Sequence, residues 1–351
     1  MLRYTMSAFV IAVVLGILVA GCQEAREEPP EPFAAEAETA KPRSNGRRLL
    51  GYVLGTGDGE WLNVPFPGHT IIKASRVSGA RQIAVFAARQ ENDRSTRLHR
   101  HDYADEIFYV HSGFGTWTME GEEETLGAGS TIFVPRGAWH AYQAAPAFPL
   151  EVVFIMSAPG LEEGFRAGFG PYRGAGVPWE EIAERFVLIE CAQDGPVECK
   201  TTPPSVEGYT LQRSEGELFA PDAEGRQTII KASPETGSPE TMMFTQEIPQ
   251  GAGTLTQTYS QAEEVIYVDE GAGIATLDAM RYALEEGSIV FAPPGVSHGI
   301  ENPDQPMHLV RFVTRPGLEG FFRETLSRPG ESLKVLTPEQ IQDILKKHEP
   351  R

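Results

Sequence analysis

Thr70-Ile71-Ile72-Lys73-Ala74-Ser75 returns 158 residues later as Thr228-Ile229-Ile230-Lys231-Ala232-Ser233, and this pair of segments decides the fold. The same offset carries Gly79 onto Gly237, Glu106 onto Glu264, Gly113 onto Gly271 and Gly129 onto Gly287. It also carries Pro135 onto Pro293 and His140 onto His298. Farther on, Pro159-Gly160-Leu161-Glu162 matches Pro316-Gly317-Leu318-Glu319 at an offset of 157. A register held over such a length marks an internal duplication.

Within each repeat the pattern is all-β. Short apolar runs at Glu106–Val110, Thr131–Val134, Val265–Val268 and Ile289–Phe291 are separated by Gly, Pro and acidic turns. Gly115 to Met119, followed by Glu120-Gly121-Glu122, reads as a strand entering a hairpin. Closing such strands into a barrel removes exposed edges, so the expectation is two tandem jelly-roll (double-stranded β-helix) barrels. Helical patterns fall at the repeat ends, 178–186 and 338–345, each opened by a proline in its first turn. The expected domains are 48–186 and 208–351, with a linker at 187–207 where Gly195-Pro196 and Pro203-Pro204 interrupt any pattern. Gly55-Thr56-Gly57-Asp58-Gly59 lacks the Lys and helix of a phosphate loop and reads as a surface turn.

A chain of 351 residues holds two domains of ordinary size, and a formal charge of −19 argues against nucleic acid as a partner. Arg3, the apolar run from Ala8 to Val19 and then Val19-Ala20-Gly21-Cys22 resemble a bacterial lipoprotein signal, 1–21, with lipid attached to Cys22. Gln23 after that cysteine favours the outer membrane in a cell that has one. Residues 22–47 are rich in Glu, Pro and Ala and read as a flexible, lipid-anchored tether. The expected location is therefore the cell envelope, with the membrane touched through lipid alone. In that oxidising setting Cys191 and Cys199 are expected to form a disulfide, with two free thiols as the alternative.

The chemistry-bearing stretch is His99-Arg100-His101, then Glu106 and Gly113, followed by Gly129, Pro135, Gly137 and His140. It resembles the two consensus motifs of the cupin superfamily, whose His-x-His, Glu and second-motif His bind one metal. Asp93 and Ala144 depart from that consensus at positions outside the ligand set. The physical reading agrees. Residues two apart on a strand share a face, so His99 and His101 point inward together, to be met by Glu106 and His140 from other strands. Three imidazoles and a carboxylate suit one divalent transition metal (Fe, Mn, Ni, Co, Cu or Zn) with coordination positions left for substrate. By the same alternation Phe108 and Tyr142 are expected to line a substrate pocket; His69 and His111 are expected at the surface.

In the second repeat the ligand positions read Gln257, Tyr259, Glu264 and His298, so a degenerate site is expected there. Ile266 and Ile300 replace Phe108 and Tyr142, which suggests an aliphatic, closed interior.

With the Lys-Ala-Ser, His-x-His-x4-Glu, Pro-x-Gly-x-x-His and Pro-Gly-Leu-Glu…Phe-Arg segments in hand, residues 48–186 and 208–345 resemble bacterial bicupins of the quercetin 2,3-dioxygenase-like group. That resemblance implies a metal-dependent dioxygenase acting on a small planar or enolisable molecule, with Glu106 as ligand and proton acceptor. Two alternatives stand beside it. One is a non-catalytic metal- or ligand-binding envelope lipoprotein, the other a non-oxidative isomerase or lyase. A homodimer is compatible with each.

Overall fold

The computed structural model describes residues 50–62, 68–91, 94–169, 188–190, 204–301 and 304–350. The signal 1–21, the tether with Cys22, the expected helix 178–186, and Cys191 and Cys199 lie outside them. No helix among the described residues is long and apolar enough to cross a membrane.

The first repeat contributes β1 (Tyr52–Leu54), β2 (Glu60–Leu62), β3 (Gly68–Ala74), β4 (Ala84–Gln90), β5 (His99–His101) and β6 (Glu106–Ser112). It continues through β7 (Phe114–Met119), β8 (Glu122–Gly127), β9 (Thr131–Val134), β10 (His140–Ala144) and β11 (Leu150–Met156) to α1 (Leu161–Phe169). β12 (Leu188–Glu190) lies in the segment expected as linker. The second repeat supplies β13 (Tyr209–Leu211), β14 (Glu217–Leu218), β15 (Gln227–Ala232), β16 (Thr241–Ile248) and β17 (Glu264–Glu270). After these come β18 (Gly273–Leu277), β19 (Met280–Leu284), β20 (Ile289–Ala292), β21 (His298–Glu301), β22 (Met307–Thr314), α2 (Leu318–Thr325) and α3 (Pro338–Lys347). The hairpin read at Glu120-Gly121 is present; both residues have positive φ (51° and 88°), which suits the right-handed twist of β7 and β8.

Barrel one sets the sheet β13-β9-β6-β11-β4-β3-β2 against β12-β5-β10-β7-β8; barrel two sets β1-β20-β17-β22-β16-β15-β14 against β19-β18-β21. The first strand of each repeat has crossed over. β1 pairs with β20 of barrel two, Tyr52 opposite Phe291, and β13 pairs with β9 of barrel one, Tyr209 opposite Phe133.

This exchange explains the repeated Thr-Ile-Ile-Lys-Ala-Ser. Lys73 Nζ donates to the carbonyls of Gly55, Thr56 and Asp58 at 2.9, 2.7 and 2.6 Å, closing the turn between β1 and β2. Lys231 Nζ does the same to Gln212, Arg213 and Glu215 at 2.9, 2.7 and 2.6 Å, between β13 and β14. Burial pushes both ammonium groups down to about 8, so they remain charged at neutral pH. The surface-turn reading of 55–59 was incomplete, because its carbonyls form the socket for a buried lysine.

Strand alternation divides the core. In β11 the side chains of Val152, Phe154 and Met156 fill barrel one, while Val153 and Ile155 face barrel two. The layer between the barrels unites Val85, Ile107 and Phe133 with Met243, Phe291 and Phe312. Burying each such side chain contributes about 1.5–3 kcal/mol, so the halves are welded by apolar area. Polar contacts also cross between the barrels. Glu263 accepts from the backbone N–H groups of Arg81 and Gln82 at 2.6 and 2.9 Å, while Arg136 donates to Glu240 at 2.8 Å.

His111 is not the surface residue expected. It is half-buried between the barrels, with Nδ1 2.9 Å from Asp269 Oδ1. Asp269 Oδ2 also accepts from the Tyr109 hydroxyl at 2.7 Å and sits 2.8 Å from His308 Nδ1. Burial lowers the His111 pKa, but the bond and charge of Asp269 outweigh it, and the net shift is upward. Asp269 is pushed up by burial and held well below its usual range by hydrogen bonds from His111, His308 and Tyr109. His69 lies half-buried against Trp61, ring centroids 4.7 Å apart.

α1 and α2, which helical patterning did not reveal, begin right after the two Pro-Gly pairs. Each carries an arginine back to the second strand of its barrel. Arg166 meets Glu60 at 2.7 Å and Arg323 meets Glu217 at 2.6 Å. α3 is the expected C-terminal helix, capped by Thr337, whose side chain accepts from Gln340 N–H.

Replacing Lys73 or Lys231 by Met removes three charge-assisted bonds to the carbonyls of a turn. Chemical denaturation should show a loss of about 2–4 kcal/mol for each variant. A raised folded-state pKa means that His111 stabilises fully below its ordinary value of about 6.5, and that this contribution fades as pH rises through the raised value. The melting-temperature gap between wild type and His111→Gln should therefore be widest near pH 6 and narrow by about pH 9.

Candidate metal centre

β5 is only three residues long, and its short His-Arg-His run places His99 and His101 on the inner face. β12 pairs along one edge of it, and His140 of β10 stands opposite His99 on the other. Glu106 opens β6, and the turn after β9 is tied back to the site by Gly137 N–H donating to the His101 carbonyl at 2.8 Å. One ligand atom from each of His99, His101, Glu106 and His140 lies within 4.8 Å of the other three. His101, Glu106 and His140 are buried and His99 is partly exposed.

The donor set fits one cation. His99 Nδ1 lies 2.7 Å from the Arg97 carbonyl and His140 Nδ1 lies 3.0 Å from that of Ala138. Donation at Nδ1 leaves each Nε2 lone pair for a metal. His140 Nε2 stands 3.0 Å from Glu106 Oε2, so two electron-rich atoms aim at one point. His101 Nε2 is 3.4 Å from the same oxygen, and both its ring nitrogens are buried without a hydrogen-bond partner. Buried polar atoms left unpaired are costly unless a ligand satisfies them. Burial, then the neighbouring His140 and His101, push His99 well below its ordinary pKa and keep it neutral. Burial pushes Glu106 up, but the neighbouring His101 and His140 hold it well below the usual carboxylate range. A divalent metal binds through imidazole lone pairs and an ionised carboxylate, which is what this donor set offers.

Phe108 and Tyr142 share the faces of Glu106 and His140, as alternation predicts. Both are buried in the barrel-one core, with ring centroids 5.4 Å apart; Tyr142 stacks on Trp117 at 5.4 Å and Phe108 lies 5.1 Å from Phe154.

Gln257, Tyr259, Glu264 and His298 also converge, in barrel two, but around a residue the motifs did not reveal. Arg311, on β22 and only 2% exposed, donates Nε to Glu264 Oε1 at 2.6 Å and Nη2 to Gln257 Oε1 at 2.9 Å. Its Nη1 donates to Gln246 Oε1 at 2.7 Å. Glu264 Oε2 meets His298 Nε2 at 2.7 Å, and the Tyr259 hydroxyl donates to Gln257. The aliphatic interior expected from Ile266 and Ile300 is present, since both are buried in an apolar cluster. Beside it lies this polar knot. A lone charge inside His308-Leu309-Val310-Arg311-Phe312-Val313 was the sequence signal for it.

A family model described as the cupin domain matches residues 87–156 and 244–313, and so spans both clusters. Over 139 residues the chain is 32% identical to quercetin 2,3-dioxygenase of Bacillus subtilis, covering 39% of this chain and 40% of that enzyme. It is 36% identical over 55 residues to an uncharacterised protein of Methanocaldococcus jannaschii, covering 16% of this chain and 44% of that one. The matches thus span less than half the length of these relatives. Among solved structures, Bacillus subtilis oxalate decarboxylase, studied for its Mn(II) centres, has a TM-score of 0.55 at 18% identity, over 77% of this chain and 79% of that one. The Lactobacillus farciminis oxalate decarboxylase–formate complex has the same TM-score at 17% identity, over 77% of this chain and 87% of that one. At such identity the structures speak for the fold alone. The chain thus carries the cupin domain in two copies, and among the described residues the first copy holds a four-ligand centre.

Proposed function

We propose that this bicupin is a metal-dependent dioxygenase, similar to the quercetin 2,3-dioxygenases, that acts on a small planar or enolisable substrate. The observation that carries this reading is the three-histidine, one-glutamate centre set into an aromatic interior. A divalent transition metal held by His99, His101, Glu106 and His140 supplies Lewis acidity toward a substrate oxygen and redox chemistry with dioxygen.

The chain's own residues prepare the substrate. Glu106, ionised at the barrel wall, accepts the proton of a substrate hydroxyl as its oxygen turns anionic. With a divalent metal bound, one carboxylate would offset only half of its charge and leave a net positive site for that anion. Phe108 and Tyr142 offer an apolar wall to a flat ring and exclude bulk water from the reacting atoms. Burial, then the charge of Glu106, push the Tyr142 phenol upward, so it stays neutral at physiological pH.

The location belongs to the same proposal. The Cys22 sequence and the segment to residue 47 support a lipid-anchored envelope protein with the barrels on a tether, and Cys191 and Cys199 support a disulfide in that compartment.

Plasma mass spectrometry on soluble protein starting after Cys22 should find about one transition metal per chain, lost in His101→Ala. Oxygen uptake should accompany turnover in a screen of flavonols and diketones, and Glu106→Gln should lower turnover by about 100-fold or more while the protein stays folded. A folded wild type that takes up no metal after anaerobic loading would overturn the enzyme reading. Substrate conversion without oxygen uptake would move the reaction to the non-oxidative class. In cells, Cys22→Ala should abolish palmitate labelling and shift the protein from the membrane to the soluble fraction.

A further inference from the structure

The two barrels differ most at one register position. Phe154 of β11 lies opposite Phe86 and Phe108, and Arg311 of β22 lies opposite Phe244 and Ile266, the counterparts of those two residues. In barrel one Phe154 stacks on Phe86 at 4.7 Å, and no arginine or lysine belongs to the donor cluster His99, His101, Glu106 and His140. In barrel two the same position carries a guanidinium, whose Cζ lies 5.0 Å from the Phe244 ring centroid. Ala88 of barrel one, opposite Val152, becomes Gln246, opposite Leu309, and supplies a further acceptor.

We propose that the Arg311 guanidinium is the resident cation of barrel two, built into the chain in place of a metal ion, so that this barrel takes up no divalent metal.

The chemistry of the donor set supports the substitution. Glu264 and His298 keep the identities of Glu106 and His140, and their facing atoms are 2.7 Å apart, against 3.0 Å in barrel one. A metal would need the Glu264 carboxylate that Arg311 engages through Nε at 2.6 Å and Nη2 at 2.5 Å. It would also need the Gln257 oxygen, which already accepts from Arg311 and Tyr259. Arginine is not deprotonated in proteins, so the occupant cannot yield by losing its charge. Its planar fork satisfies Glu264, Gln246 and Gln257 together. No ring nitrogen of His298 is orphaned as those of His101 are, since Nδ1 lies 2.9 Å from the Val296 carbonyl. Barrel two is electrically complete by itself, whatever barrel one catalyses.

The test starts from protein whose first site is disabled by His101→Ala and His140→Ala, loaded with Co(II) or Mn(II) alone and assayed for metal content and cobalt absorption. Barrel two should hold no metal. Adding Gln257→His and Tyr259→His, which restores the histidine pair, should still give none while Arg311 remains. Adding Arg311→Phe and Gln246→Ala as well rebuilds the barrel-one set and should raise the content from none to about one per chain. One equivalent bound with Arg311 intact, with or without the histidine pair, would overturn the proposal. So would a folded, fully rebuilt barrel that stays empty. The arms that retain Arg311 decide the matter even where the rebuilt barrel does not fold, and none depends on turnover by barrel one.

Discussion

The architecture hangs on two buried ammonium groups. Lys73 and Lys231 each gather three backbone carbonyls that would otherwise point unpaired into a tight turn, and each turn launches a strand into the opposite barrel. With β1 laid on β20 and β13 on β9, the large sheets gain their seventh strands and the barrels share an apolar layer. Short strands such as β5 can then stay short, because the framework that positions their histidines is braced from both sides.

Much of this was legible in the sequence, because a duplication repeats its constraints. Lys-Ala-Ser, the glycines of the turns and the Pro-Gly pairs recur since each half solves the same geometric problem. The four ligands were legible through strand period and motif spacing. The crossing of β1 and β13 was not, since a strand's pattern records which face is buried and not whose neighbour it joins. α1 and α2 hid in segments of nine and eight residues whose start carries Pro-Gly in place of a capping side chain. His111 looked like a surface residue because its partner, Asp269, lies 158 positions away. Arg311 escaped because the ligand motifs end before it, although its charge in an apolar strand stood in plain view.

The two interiors show how little separates a cluster of converging donors from a closed polar knot. Both keep a Glu and a His in register, and both sit inside barrels of the same design. In one, the charges converge on a point that needs a mobile cation; in the other, a side chain brings that cation with it. In the first the His101 ring nitrogens are left without partners, whereas hydrogen bonds consume the polar atoms of the second. Reactivity follows from the atoms left unpaired.

The crossed strands also bear on what one half would do alone. Each barrel borrows its outermost strand from the other, so either half alone would present an open sheet edge and a bare apolar face. Two copies of one half, related by a twofold axis, would cover both by swapping those strands. A single half of this design would therefore complete itself as an intertwined homodimer.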